Sequence, residues 1–311
     1  MEDNVIVTVG LCVRNAETTV GQAIDSILSQ DFPREKMELI VVDGCSTDST
    51  LAIIKSKLEG SGLKTRIFHE NMGLGYARQL VVDNAKGKFI IWVDADMILP
   101  KKFVTKQVTF MEGNPKIGIA KGRYGIHEKN SLAAMLEDVE FAISFRNEGK
   151  ANMPALGASG CIYRIEAVKQ VGGFNPYMRG VGEDQDVENR VRLAGWLLYV
   201  SPAIFYEKRR ETWKSLWSEY FWHGVGAAHL FKKNRRAIKI IRMLPPVALF
   251  MEVLRIPTAY KLTGSFAVFL LPFHYVFKRI AWMLGFIKGK ILISGCRSLR
   301  MHGIWVLIQF S

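Results

Sequence analysis

Phe89-Ile90-Ile91-Trp92-Val93-Asp94-Ala95-Asp96-Met97-Ile98 runs as an apolar strand into two carboxylates one residue apart. Side-chain direction in a strand repeats every two residues, so Asp94 and Asp96 leave its end on the same side. Carboxylates held that close raise each other's pKa unless a cation lies between them. A divalent ion that prefers oxygen ligands, Mg2+ or Mn2+, and that itself holds a phosphate satisfies both. An isolated Asp-Xaa-Asp is more often a plain acidic turn, so its meaning depends on the segments around it.

Those segments alternate strand and helix. Val5–Val13, Glu38–Val42, Thr65–His69 and Phe89–Val93 read as strands, and helical patterns run from Thr18 or Thr19 to about Gln30, then over about Thr50–Leu58, Gly75–Ala85 and Lys101–Met111. This alternation predicts an α/β fold, a mostly parallel sheet covered by helices. Ligands of such sheets bind beyond the carboxyl ends of the strands. Asp43, Asn71 and the Asp94/Asp96 pair all fall at such ends. Farther on, Ile117–Tyr124 reads as a strand and Ser131–Phe145 as an ambiguous helix; the Gly-rich Ala155–Ile162 has a strand signal, and Gln185–Leu193 is a helix entered by Gly182-Glu183-Asp184.

Composition narrows the class further. The 311 residues, 49% hydrophobic and 23% charged, are enough to bury a full core. The four cysteines lack metal-ligand spacing and read as thiols of a reducing compartment. The acidic start Met1-Glu2-Asp3-Asn4 does not read as a secretory leader. The net charge of +13 is unevenly placed, because residues 207–311 alone carry +14 and residues 1–206 carry −1. That basicity is interleaved with apolar runs, which favours an anionic membrane face over nucleic acid as the partner. Composition thus divides the chain into residues 1–235 and a basic, apolar helical tail, 236–311.

Several ordered motifs carry a resemblance. Val13-Arg14-Asn15-Ala16-Glu17, Val41-Val42-Asp43-Gly44-Cys45-Ser46-Thr47-Asp48, Asn71-Met72-Gly73-Leu74-Gly75-Tyr76-Ala77-Arg78-Gln79, Asp94-Ala95-Asp96, Gly172-Gly173-Phe174 and Gly182-Glu183-Asp184 follow one another in the order seen in the family 2 glycosyltransferases. The chain departs from that pattern at Gly44, where a second Asp is usual, and at Gln79. It also lacks the "QxxRW" element of processive members. A dinucleotide fingerprint is missing, since Gly73-Leu74-Gly75 follows the third strand and has no third glycine. A nicotinamide oxidoreductase is the less favoured alternative on that ground, and a catalytically silent sugar-nucleotide-binding partner is another.

The resemblance implies a GT-A fold and an inverting transfer from a nucleotide-diphosphate sugar, UDP- or GDP-hexose. It implies nucleoside contacts from Arg14 and Glu17, a hydrogen bond from the base to Asp43, and a donor-side Arg78 that clamps phosphate or orders the aspartates. Asp96 would take Mg2+ or Mn2+ directly, and Asp94 would take the ribose or the metal through water. Asp184 is the expected general base, its pKa raised by neighbouring charge, with Glu183 as alternative base or acceptor contact. Asp48 reads as a helix cap, and Asp186 and Glu188 as solvent-facing.

The tail decides the expected location. Leu262–Phe277 forms about 24 Å of helix, short of a roughly 30 Å hydrocarbon core. Lengthening it through Ile287 buries Lys278 and Arg279. Helices lying in or dipping into the cytoplasmic leaflet are therefore expected, with true spanning as the less favoured alternative, and with them a lipid-linked or other membrane-held acceptor.

Overall fold

The computed structural model describes residues 5–126, 131–151, 155–178, 180, 182–233 and 245–300. β1 (Val7–Val13) and β2 (Met37–Asp43) are nearly all β-branched or aliphatic and buried on both faces, as central strands of a parallel sheet must be. They pair in parallel from Val7 with Met37 to Val13 with Asp43. β3 (Lys64–His69) adds beside β2 and β4 (Phe89–Trp92) beside β1, both parallel. Helices α1 (Val20–Leu28), α2 (Thr50–Leu58) and α3 (Leu74–Asn84) make the crossovers.

After β4 the sheet changes character. β5 (Met97–Ile98), α4 (Phe103–Glu112), β6 (Ile117–Tyr124), α5 (Leu132–Ser144), β7 (Gly149–Lys150), β8 (Cys161–Arg164), α6 (Ile165–Gln170), α7 (Glu183–Leu193) and β9 (Leu197–Glu207) complete it. The strand order is β3-β2-β1-β4-β8-β6-β9-β5, with β7 on β9. β8 runs antiparallel to both β4 and β6, so the sheet is mixed. Sequence pattern does not announce β9, because Pro202 interrupts it and proline cannot donate to a ladder. The strand accommodates it with a bulge against β6, where pairing jumps from Lys121–Val200 to Arg123–Ile204.

The chain forms two compact units, 1–128 with 141–209, and 129–140 with 210–311. The first holds the sheet and its apolar core. The second holds α8 (Trp213–Lys233), α9 (Pro245–Val253), α10 (Ile256–Thr263), a 3-10 turn at Phe266–Leu270 and α11 (Leu271–Arg300). The division falls at 209/210 and not near the compositional change at 235, because α8 packs along α11.

Three glycines allow that packing. A β-carbon at Gly224 would overlap the Trp282 carbonyl oxygen, one at Gly285 the Phe221 carbonyl oxygen, and one at Gly289 would lie 2.7 Å from Ala228 Cβ. Gly285 and Gly289 are four apart, the small-xxx-small spacing that lets helix backbones touch. Lys278 of α11 is fully buried in the same unit and donates to Glu137, at 3.3 Å, and to Glu140. Among the described helices, one stretch, Phe266–Leu292, has the length and apolarity to cross a bilayer.

Candidate active site

The carboxyl ends of β1, β2 and β3 open on a cavity of about 430 Å³, within the usual range for small-molecule sites. Arg14, Gly44, Cys45, Glu70, Asn71 and Gly73 are among the residues that line it. Asn15 and Cys45 take positive φ of 48° and 57°, which turns the first two loops toward each other. Asn15 fastens them, donating its amide to Ser46 Oγ at 3.0 Å and accepting from the Thr47 amide at 2.9 Å.

Three expected residues contribute to these loops in different ways. Arg14 lines the cavity and is exposed. Glu17 accepts from the Ser49 amide at 3.0 Å, so its carboxylate is engaged at the start of α2. The Asp43 carboxylate is buried, accepts from the Ser46 amide at 3.2 Å and faces His69 Nδ1 at 3.3 Å. Asp48, one residue before the N-cap Ser49, accepts from the Thr50 amide at 3.0 Å, and its hydrogen bonds with Thr50 hold its carboxyl below the usual range.

A second group of residues forms where β4 ends. Arg78 of α3 is buried against the rings of Trp92 and Phe174, 5.2 and 5.9 Å from their centres. Its guanidinium lies 3.3 Å from Glu183 and 3.9 Å from Asp94. Burial works against its charge, but Glu183, Asp94 and Asp184 outweigh that and raise its pKa. The side chain is therefore a fixed cation between two carboxylates and is not exposed as a phosphate clamp would be. Burial pushes Glu183 up to about 7 against the pull of Arg78, and Asp184 adds to the rise.

The Gly-rich segment Gly157-Ala158-Ser159-Gly160 draws the two carboxylate centres together. Ser159 Oγ donates to Asp94, while the adjacent Ala158 amide donates to Asp184 Oδ2 at 3.2 Å. Asp184 Oδ1 accepts from the Gln185 amide at 2.7 Å, at the start of α7, where backbone N–H groups and the helix dipole favour a carboxylate. The expected base and the first aspartate of the pair thus sit on neighbouring residues of one loop.

Asp96 is placed by the edge of the sheet. Its carbonyl accepts from the Lys208 amide at 2.8 Å, and Met97 pairs with Glu207 across β5 and β9. Glu207 is half-buried, and desolvation pushes it up to about 7 against the pull of Arg209, with Asp96 and Asp94 adding to the rise.

Two expectations about α7 need correction or completion. Glu188 does not face solvent: it is fully buried, accepting from the Leu156 amide at 2.6 Å and lying 3.3 Å from the Tyr163 hydroxyl. Burial and the charge of Asp184 push it up to about 7. Asp186 is part-exposed and pairs with Arg190 at 2.7 Å. The reason is helical geometry, since Glu188 lies four residues past Asp184 on the face that α7 turns to the sheet.

Sequence reasoning also passed over Glu70, Lys121, Ser159 and Glu207. Only the Gly-rich run around Ser159 gave a signal. Lys121 and Glu207 lie in strand patterns where a charged residue reads as an outward face, yet Lys121 is buried and donates to the Gly157 carbonyl at 3.3 Å.

Comparison with known proteins bears on the family and the fold. Residues 8–172, more than half of the chain, match the family described as Glycosyl transferase family 2. Over 258 residues the chain is 24% identical to a poly-β-1,6-N-acetyl-D-glucosamine synthase of Staphylococcus epidermidis, covering 80% of this chain and 61% of that protein. Over 99 residues it is 32% identical to the poly(ribitol-phosphate) β-N-acetylglucosaminyltransferase TarS of Staphylococcus aureus, 32% of this chain and 17% of that one. It therefore spans about three-fifths of the first relative and under a fifth of the second. Among solved structures, a mannosyltransferase from Pyrobaculum calidifontis in complex with GDP-Man and Mn2+ superposes with a TM-score of 0.63 at 19% identity, over 91% of this chain and 86% of that one. TarS residues 1–349 in complex with UDP-GlcNAc superpose with a TM-score of 0.55 at 17% identity, over 97% and 93%. The sheet, the loop-joined carboxylates and the family match lead to one assignment: the chain belongs to glycosyl transferase family 2 and has its GT-A fold.

Proposed function

We propose that the chain transfers a hexose, with inversion, from a UDP- or GDP-sugar to an acceptor hydroxyl held at a membrane. The observation that carries this reading is the Ala158-Ser159 link, which sets Asp184 beside the Asp94/Asp96 end of β4. The cavity takes the nucleoside. Asp184 accepts the proton of the acceptor hydroxyl as its oxygen bonds to the anomeric carbon, and the bond from that carbon to the diphosphate oxygen breaks on the opposite face. The nucleoside diphosphate leaves with the electron pair.

The residues present suit a divalent metal. Asp94 and Asp96 are part-exposed oxygen donors. Among the described residues no three carboxylate, His or Cys side chains form a complete ligand set. Two carboxylates completed by substrate phosphates and water are the usual arrangement for Mg2+. Asp96 and Asp94 would hold Mg2+ or Mn2+, which when bound neutralises the leaving diphosphate. Arg78, 3.9 Å from Asp94, holds it in position, and Glu183 balances Arg78.

The membrane reading draws on the second unit. Phe266 and Phe273 are 75% and 69% exposed, and Tyr260, Phe266 and Phe269 form an exposed aromatic cluster with ring centres 5.4–6.4 Å apart. Basic Lys261, Lys288 and Lys290 are exposed on the same unit. Apolar rings with lysines suit insertion into one anionic leaflet. Buried Lys278, held by Glu137 and Glu140, sits in the middle of the span-length stretch and opposes a crossing. The reading places the chain on the cytoplasmic face, with a polyprenyl phosphate, a lipid-linked saccharide or a glycolipid as acceptor.

The test is to incubate purified full chain and lipid extract with a panel of labelled sugar nucleotides, with and without Mn2+ or Mg2+. Label is expected in the lipid fraction for one donor and only with metal. If no donor is turned over or hydrolysed under any condition, the proposal fails.

A further inference from the structure

Resting on the sugar-nucleotide reading of the cavity, we infer that Glu70 is the carboxylate that reads the base, a part the family resemblance would give to Asp43. Asp43 is 2% exposed and its oxygens are taken up by the Ser46 amide and His69. It orders the loop that forms the cavity wall. Glu70 belongs to the wall itself.

The backbone puts Glu70 where Asp43 would be expected to act. The Glu70 amide donates to the Asp43 carbonyl at 3.0 Å, and Cys45 Sγ–H donates to the Glu70 carbonyl at 3.3 Å. From there the side chain folds back. Oε2 accepts from the Met72 and Gly73 amides at 2.6 and 2.7 Å, which fixes the plane of the carboxylate. Oε1 lies 3.4 Å from the point where a β-carbon of Gly44 would stand.

Gly44 makes this arrangement possible. The same point is 3.3 Å from Arg14 Cβ and 3.5 Å from Arg14 Cδ, so a side chain at position 44 would crowd Arg14 and Glu70 together. The family usually has an aspartate here. In this chain the Glu70 carboxylate reaches into the gap that glycine leaves at position 44.

The chemistry of the pair selects a class of base. Ionised Glu70 only accepts, and Arg14 only donates. Uracil offers an imide N–H beside carbonyl oxygens, and guanine offers N1–H and an exocyclic amine beside O6. Both match an acceptor next to a donor. Cytosine presents an unprotonated ring nitrogen and an amine at the corresponding positions, so it meets a like group on each side. Glu70 and Arg14 therefore favour uridine or guanosine diphosphates over cytidine diphosphate.

Calorimetric titration of the full chain with UDP, GDP and CDP in Mn2+ tests this. Glu70→Gln keeps an oxygen for the Met72 and Gly73 amides and turns a donor toward the base, so the loop stays supported. The wild type is expected to prefer UDP or GDP to CDP, and Glu70→Gln to shrink that preference by about tenfold or more. Asp43→Asn is expected to leave the preference in place. An unchanged preference in Glu70→Gln, an equal loss for all three nucleotides, or collapse of the preference in Asp43→Asn would each overturn the inference. If the wild type binds none of the three, the sugar-nucleotide reading itself fails and the inference goes with it.

Discussion

At the residue scale, the site separates carboxylates that share one neighbourhood into different tasks. Asp184 is held by two backbone amides, whereas Glu183, the next residue, is buried against Arg78 and raised to about 7. Asp184→Asn should lower kcat by about 10²–10⁴ with nucleotide affinity little changed, measured by transfer assay and titration. Asp96→Ala should abolish the metal-dependent part of donor binding, and titration with and without Mn2+ checks it. Glu188 gives a stability prediction. Its folded pKa, raised from 4.5 to about 7, means that its contribution is complete below 4.5 and is lost as pH rises through 7. Glu188→Gln does not titrate, so its stability relative to wild type should rise by at most about 3 kcal/mol from pH 4.5 to 7. Denaturant melts across that range would show it. These residues were unevenly legible in sequence. Asp94, Asp96 and Asp184 stand out because acidic residues at strand ends and helix starts break a local pattern. Glu70 and Glu207 do not, since their surroundings come from distant loops and strands.

At the element scale, β1–β4 and their helices follow from local pattern, because β1, β2 and β4 are short apolar runs and all four strands end near Gly, Asp or Asn. β9 escapes the same reading, and with it the pairing that sets Asp96 beside Glu207. Its bulge around Pro202 depends on β6, a partner 80 residues away in sequence for the Ser201–Lys121 bond, which no local rule supplies. In α8 the stretch 220–226 is aromatic and contains two glycines, a local pattern that does not by itself tell helix packing from a ligand contact. Gly224 settles its own part, because the Trp282 backbone occupies the space beside it. Gly285→Leu should force α8 and α11 apart and destabilise the helical unit by about 3 kcal/mol or more, visible as an earlier thermal transition.

At the scale of the whole molecule, the acidic and basic halves fall to different units. The sheet-bearing unit carries the carboxylate site, and the helical unit carries the tail's positive charge and exposed rings. Serine at Phe266, Phe269 and Phe273 together should weaken sedimentation with anionic vesicles while donor hydrolysis persists, and unchanged sedimentation would count against the membrane reading. Raising salt should weaken vesicle binding of the wild type, because the lysine contribution is screened and the ring contribution is not. The close contact of α8 and α11 bears on this behaviour. Backbones that touch across glycine are held by dispersion and shape, which lipid tails do not weaken as they weaken associations driven by water. A pair held this way would keep its geometry in water and at a bilayer surface alike. Under the membrane reading proposed above, the helical unit would then bind and leave an anionic surface without refolding, and the share of chain at work there would follow the anionic lipid on offer.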